Sequence, residues 1–294
     1  MSGYNELFLK DPDSFAQLNA LFPWADMIGG RNGLKVKTFT DKTVFFQIQN
    51  EVKVAWCNVA PANALLYVGG DTGDDYAKDI GLMVMRVRYD RDANTFPVYY
   101  LPWQQNRLFR MKLKPSPKNP TKLENEIVEP EIFITAALQG CSIIVSGDPE
   151  EPVVYHVNAV NTTGPKGENL NSETDLGFLK AAQAKRDHML NLYDMARTQY
   201  PKEGRRVEGK RPEQTFVSKA VHLTDYMLGD MHTPNEALVA RFVGDIGGSV
   251  DQFGTVFGVR SDRKWKFYRQ TRTRVSRTGE IPKWLTPVCL PFWP

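Results

Sequence analysis

The 294-residue chain has only three cysteines and four histidines, too few for a disulfide framework or a repeated metal motif. Cys57, Cys141 and Cys289 are an odd, widely spaced set, and three free thiols are expected. No charge of one sign dominates. The 37 Lys and Arg stand against 34 Asp and Glu, so a net charge of +3 directs no strong field at nucleic acid or an anionic membrane. No apolar run approaches the length of a membrane span, and the opening MSGYNELFLKDPDSF has an early acidic residue and no apolar centre of a signal peptide. Synthesis in a cytosol without a secretory signal is therefore expected, and a membrane partner is not. Internal repeats and low-complexity tracts are lacking too. What is present is core material: 41% hydrophobic and 11% aromatic residues beside an ordinary 24% of charged ones. One domain spanning 1–294 is the expected organisation.

The first third reads as mostly strand. Residues 34–39, 43–49, 51–57, 64–68, 82–89 and 97–103 are rich in β-branched and aromatic side chains, with Gly, Asp and Asn clusters between them. Before them, Phe15, Leu18 and Leu21 or Phe22 share one face of a helix over 14–22, which Asp13 or Ser14 is placed to cap. Residues 113–130 are polar and proline-broken and read as a loop. Residues 131–138 read as a short helix, with Pro130 to begin it and Gly140 to end it. Residues 142–146 and 153–157 form a hairpin around Gly147, Asp148 and Pro149. The longest helix is expected over 173–200, opened by Ser172 and Asp175 as a capping box and closed before Pro201. A charged connection over 201–214, helices over 215–229 and 235–246, and strands near 255–260 and 264–275 complete the chain. The fold class is α+β: a mixed, mainly antiparallel, sandwich-like sheet core flanked by helices.

The hairpin relates two reactive side chains. A turn centred between Pro149 and Glu150 makes the numbers of opposed residues sum to 299, so Ile143 faces His156. Cys141 then lies one diagonal step away on the same face, where side chains still meet across roughly 7–8 Å of backbone separation. A slip of one residue sends the two to opposite faces. A thiolate beside an imidazole suits acyl transfer, because the imidazole takes the thiol proton and later protonates a departing amine. Backbone N–H groups at the Gln139, Gly140, Cys141 turn are candidates for stabilising the tetrahedral oxyanion. From spacing alone two readings stand, since a cysteine opening an apolar strand also serves as core filling and a lone histidine often has a structural partner.

Leu101, Pro102, Trp103, Gln104 and Gln105, then Thr135, Leu138, Gln139, Gly140 and Cys141, then Gly147 and Asp148, and finally Pro152, Val153, Tyr155 and His156 resemble the Burkholderia lethal factor-like glutamine deamidase toxins. That group is related to the catalytic domain of cytotoxic necrotizing factor. The resemblance covers about 97–160, with a fainter echo in 235–275. The N-terminal region and 201–232 stand outside it as elaborations in which substrate choice is expected to reside. The resemblance implies Cys141 as nucleophile, His156 as general base and Thr135 as the polar partner that orients the histidine. It also implies deamidation of a glutamine on a host protein, such as a translation-initiation helicase or a Rho-type GTPase, by a bacterial toxin acting in the target-cell cytosol. No cofactor and no metal are expected, and a monomer is. The chain reads Leu138, Gln139, Gly140, Cys141 where the group has Leu-Ser-Gly-Cys, and the hairpin turn is longer than in the lethal factor. The alternatives are a cysteine protease, a transglutaminase-like acyl transferase using the same dyad, or a non-catalytic binding module on a toxin fold. Thr135, Cys141 and His156 are expected to converge in a surface cleft with sulfur and imidazole near hydrogen-bond distance.

Two other clusters invite functional readings. His222, Asp225, Asp230 and His232 lie within eleven positions, but they lack the paired histidines on one helical face that a helical zinc motif needs, and Gly229 interrupts them. His188 reads as a polar-face residue of the long helix. Residues 260–277 interleave eight cations with Trp265, Phe267 and Tyr268, which suggests a nucleic-acid stacking surface or a dock for an acidic protein. A strand with one wet basic face is the favoured reading, and a nucleic-acid partner is not expected.

Overall fold

The structure is a computed structural model. It describes residues 3–25, 34–38, 45–49, 54–62, 81–103, 107–113, 121–123, 126–158, 186–187, 189–190, 192–194, 218–222, 225, 248–277, 281 and 283–294.

Helices α1 (Gly3–Lys10) and α2 (Pro12–Leu18) open the chain. Asp11, not Asp13 or Ser14, caps α2 by accepting the Ser14 N–H at 3.0 Å, with Pro12 fixing the first helical φ. The helix stops at Leu18, short of the expected 22, because the chain turns into strand β1 (Ala20–Ala25). Strands β2 (Leu34–Thr38), β3 (Phe45–Gln49), β4 (Val54–Pro61), β5 (Leu82–Arg88), β6 (Phe96–Leu101) and β7 (Arg107–Lys112) follow, five of them matching runs read from the sequence. A small hairpin, β8 (Thr121–Leu123) and β9 (Glu126–Val128), lies within the segment expected to be loop. Then come β10 (Ile132–Thr135), β11 (Ser142–Asp148), β12 (Glu151–Val157), β13 (Lys219–Val221), β14 (Gly248–Ser261), β15 (Lys264–Arg277), β16 (Lys283–Trp284) and β17 (Val288–Trp293).

Among the described residues, nine strands form one sheet in the order β1-β5-β4-β6-β10-β14-β15-β16, with β17 also on β15, and six form a second in the order β13-β11-β12-β7-β3-β2. The β1–β5, β6–β10 and β3–β7 pairs are parallel and the rest antiparallel, so the core is the mixed, mainly antiparallel sandwich expected of an α+β chain. Alternation along the strands builds its layers. Leu101, Phe133, Val256 and Phe267 of the first sheet meet Phe109, Ile143, Val145 and Val154 of the second in one buried cluster. The first sheet turns Ile132, Ile134 and Phe257 the other way, onto Phe8 and Phe15 of the two helices. The second turns Ile144, Tyr155 and Val157 outward onto Met189, Leu192 and Tyr193. Those three are helical, as expected for the long helix over 173–200, and the rest of that span lies largely outside the described residues.

Two segments are corrections. Residues 132–135 are a central strand between β6 and β14, not a helix; all four are buried because both faces of this sheet are covered, which erases the alternation that marks a strand. Residues 219–221, expected in a helix, instead add β13 to the edge of the second sheet beside β11. The expected strand over 64–68 and helix over 235–246 lie outside the described residues.

Gln270 ties α2, β1 and β15 together. Its Nε2 donates to the Ala16 and Asn19 carbonyls at 2.6 and 2.8 Å, and its Oε1 accepts the Leu21 N–H at 2.8 Å. Gln270→Leu strands a buried N–H and two carbonyls and is expected to cost about 2–4 kcal/mol in chemical denaturation. A loss below about 0.5 kcal/mol contradicts this role.

Candidate active site

The site grows from the passage of the chain between sheets. After β10 the Ala136 N–H donates to the Leu101 carbonyl at 3.0 Å, and Leu138 and Gly254 exchange backbone hydrogen bonds of 2.7 and 2.9 Å. Gln139 is exposed, and Gly140 takes φ +91°, a left-handed conformation that strains any residue with a Cβ. This turn delivers Cys141 to the head of β11 in the second sheet. The Leu138–Gly140 segment is thus a crossover between the two layers.

The β11–β12 register is the one expected from the turn chemistry. Ser142 pairs with Val157, Ile143 with His156 and Asp148 with Glu151, a constant sum of 299. At the turn the Asp148 side chain accepts the Glu150 N–H at 3.0 Å, and Gly147 takes φ +93°. Cys141 and His156 therefore share the face that looks across to the first sheet. Extending the register one step sets Asn158 opposite Cys141, and its Nδ2 donates to the Cys141 Sγ at 3.0 Å. Asn158 was not singled out from the sequence, although its signal was there: 141 and 158 also sum to 299.

Every member of this group is buried, with relative exposures of 0% for Thr135, 2% for Cys141, 0% for His156 and 2% for Asn158. The expected surface cleft is a correction: both faces of the second sheet are covered, and this face forms the inter-sheet core. No hydrogen bond joins Cys141 to His156, and both ring nitrogens of His156 lack a hydrogen-bond partner, as does the Asn158 Oδ1. Burial drives the His156 pKa down to about 3, and the nearby Pro102 and Leu101 carbonyls offset this only in part. The imidazole is neutral at pH 7. Thr135 does not orient it: its Oγ1 donates to the Val256 carbonyl at 3.2 Å. Thr135 instead pairs with Leu101 in the β10–β6 register, and so flanks the strand end whose carbonyls approach His156.

The other two thiols sit in settings that suppress reactivity. Burial pushes Cys57 far above the usual thiol range, and burial with the Asp13 carboxylate nearby pushes Cys289 up to about 12.

On the opposite face of β11, the Ser142 Oγ lies 2.9 Å from His222 Nδ1 and 2.9 Å from Met189 Sδ. The Asp225 carboxylate accepts the His222 backbone N–H at 2.7 Å. Burial lowers the His222 pKa to about 4, opposed by Asp225 and Asp187 and reinforced by Arg186. This cluster pins β13 and the helical residues to β11. Among the described residues no group of three or more His, Cys, Asp or Glu side chains is arranged to hold a metal; His188, Asp230 and His232 lie outside them. Trp265, Phe267 and Tyr268 are buried and offer no stacking surface. Within the same strand Arg272 is enclosed by Phe22, Phe253 and Trp284, with ring centroids 5.0–5.6 Å away. No described helix is long and apolar enough to cross a membrane. No protein-family model and no curated protein matches the chain.

Proposed function

We propose that the chain is a protein-glutamine deamidase with Cys141 as nucleophile and His156 as general base. The observation that carries the reading is a buried histidine whose ring nitrogens make no well-formed hydrogen bond and are approached only by the Leu101 and Pro102 carbonyls, one diagonal step from a cysteine whose sulfur already accepts an N–H. Leaving a buried polar atom unpaired costs roughly 1–3 kcal/mol, and a ligand that paired with the His156 and Asn158 atoms would recover that cost.

In the proposed reaction the His156 imidazole takes the Cys141 proton as sulfur attacks the glutamine Cδ, forming an S–C bond and placing the C=O electron pair on oxygen. The tetrahedral adduct collapses, the C–N bond breaks, and the imidazolium protonates the nitrogen, which leaves as ammonia. Water, deprotonated by the same imidazole, then adds to the thioester. Cleavage of the S–C bond yields glutamate and, with the returned proton, the Cys141 thiol. An imidazole with a depressed pKa becomes a better proton acceptor as the thiolate forms, since the two opposite charges stabilise each other in a medium of low dielectric.

Burial favours a side-chain amide over a peptide bond. A sulfur this enclosed requires the core to open before any amide reaches it, and a slender, protruding chain such as glutamine needs a smaller opening than a main-chain carbonyl, which brings its neighbours with it. The family resemblance extends the proposal to a host protein substrate and to a toxin made in the bacterial cytoplasm that acts in the target-cell cytosol. Incubation with eukaryotic lysate proteins is expected to release ammonia, and Cys141→Ser is expected to stop it. Peptide cleavage without ammonia points instead to a protease.

A further inference from the structure

We propose that Asn158 is the residue that selects a primary carboxamide, a role that rests on the deamidase reading of the same site. Its Nδ2 has two N–H groups, and one is directed at the Cys141 Sγ. The second belongs to the same planar amide as Oδ1, which is buried without a hydrogen-bond partner. Together they present one donor and one acceptor at the edge of the nucleophile.

A primary carboxamide is the complement of that edge. Its carbonyl oxygen accepts the second Asn158 N–H and its own N–H donates to Oδ1, giving the paired two-bond arrangement that amides form with each other. A carboxylate has no N–H to offer, and a dialkyl amide has lost both. Either leaves Oδ1 buried and unpaired, the situation in which sites discriminate most strongly. The donor half also acts on chemistry: the N–H on sulfur favours the thiolate, and its neighbour faces the oxygen on which charge gathers during attack. His156 stands on the same side, two residues along β12, to serve the leaving nitrogen. The bond to Cys141 accounts for the nitrogen of this asparagine, and nothing among the described residues accounts for its oxygen. An apolar residue of similar size at this position satisfies the core and leaves no orphaned oxygen.

The test uses the thiol itself, so it does not depend on knowing the protein substrate. Iodoacetamide carries a primary carboxamide, and 2-iodo-N,N-dimethylacetamide presents the same electrophilic carbon with no N–H. Their alkylation rates at Cys141 in the folded full-length chain are read by peptide mass spectrometry, with Cys57 and Cys289 as internal references. In the wild type the ratio of iodoacetamide to dimethyl reagent is expected to exceed that of Asn158→Leu by about tenfold, the contribution of one hydrogen bond. Because both proteins meet the same two reagents, reagent size cancels. Thermal melting checks that Asn158→Leu folds. Asn158→Asp retains the acceptor but sets a carboxylate beside sulfur, so its alkylation is expected to need higher pH. An unchanged ratio in Asn158→Leu overturns the assignment, as does a Cys141 that cannot be labelled in the folded protein. A preserved ratio effect without glutamine conversion in lysate retains Asn158 as an amide-reading residue and removes the deamidase reading.

Discussion

Cys141→Ser is expected to lower turnover at least about a thousandfold, the scale on which loss of a catalytic nucleophile falls, while changing unfolding free energy by less than about 1 kcal/mol. The contrast between the two numbers is the content of the prediction. Serine has nearly the size of cysteine, still accepts the Asn158 N–H, and leaves the packing against Ile143 and Val256 intact. A hydroxyl beside a neutral imidazole is a far weaker nucleophile than a thiol, because its proton is much harder to remove. Equal activity in the two proteins, measured as ammonia release, removes the thiol mechanism. A large loss of stability would instead mark Cys141 as core filling.

Acid is expected to destabilise the protein through its buried histidines. His156 titrates near 6.5 when unfolded and near 3 when folded, so below 6.5 the unfolded chain binds a proton that the native state refuses. Titration of this group costs nothing above 6.5, where it is neutral in both states, and the penalty grows as pH falls from 6.5 to about 3, reaching on the order of 5 kcal/mol across the whole window. His222, depressed to about 4 by burial, acts in the same direction. His156→Leu removes the unpaired nitrogens along with the titration. It is expected to match or exceed the wild type in stability at pH 7, to flatten the acid limb of denaturation midpoint against pH, and to be inactive. A steep acid limb that survives in His156→Leu shows that other groups carry it.

The parts of this site that could be read in the sequence are those set by short-range chemistry. Gly147, Asp148 and Pro149 define the hairpin turn, the turn fixes the register, and the register fixes which side chains share a face. The Cys141 and His156 relation followed from that arithmetic, and Asn158 was one step further along it. The depth of the site was not legible, because a strand's own alternation does not say whether a second sheet covers its face. The same limit explains β10. Ile132, Phe133, Ile134 and Thr135 are buried on both faces, so their continuous apolar run fits a helix as well as a strand, and Pro130 and Gly140 mimic helix punctuation. At the N-terminus, Leu21 and Phe22 continue the helical spacing of Phe15 and Leu18. They are claimed by β1 because pairing with Leu82–Arg88 and the Gln270 hydrogen bonds outweigh local propensity. Thr135 was expected on a helix as the partner of His156; it lies instead at the end of β10, and its hydroxyl goes to Val256 on the neighbouring strand.

The most direct test of the account is to incubate eukaryotic lysate with the wild type and with Cys141→Ser and to map side-chain conversions by mass spectrometry. One or a few glutamines of folded proteins are expected to become glutamate only with the wild type, and to convert poorly when the same sequence is supplied as a short peptide, because remote contacts provide the binding energy that positions the amide. Identical glutamine profiles with both proteins, or efficient turnover of free glutamine, would contradict it.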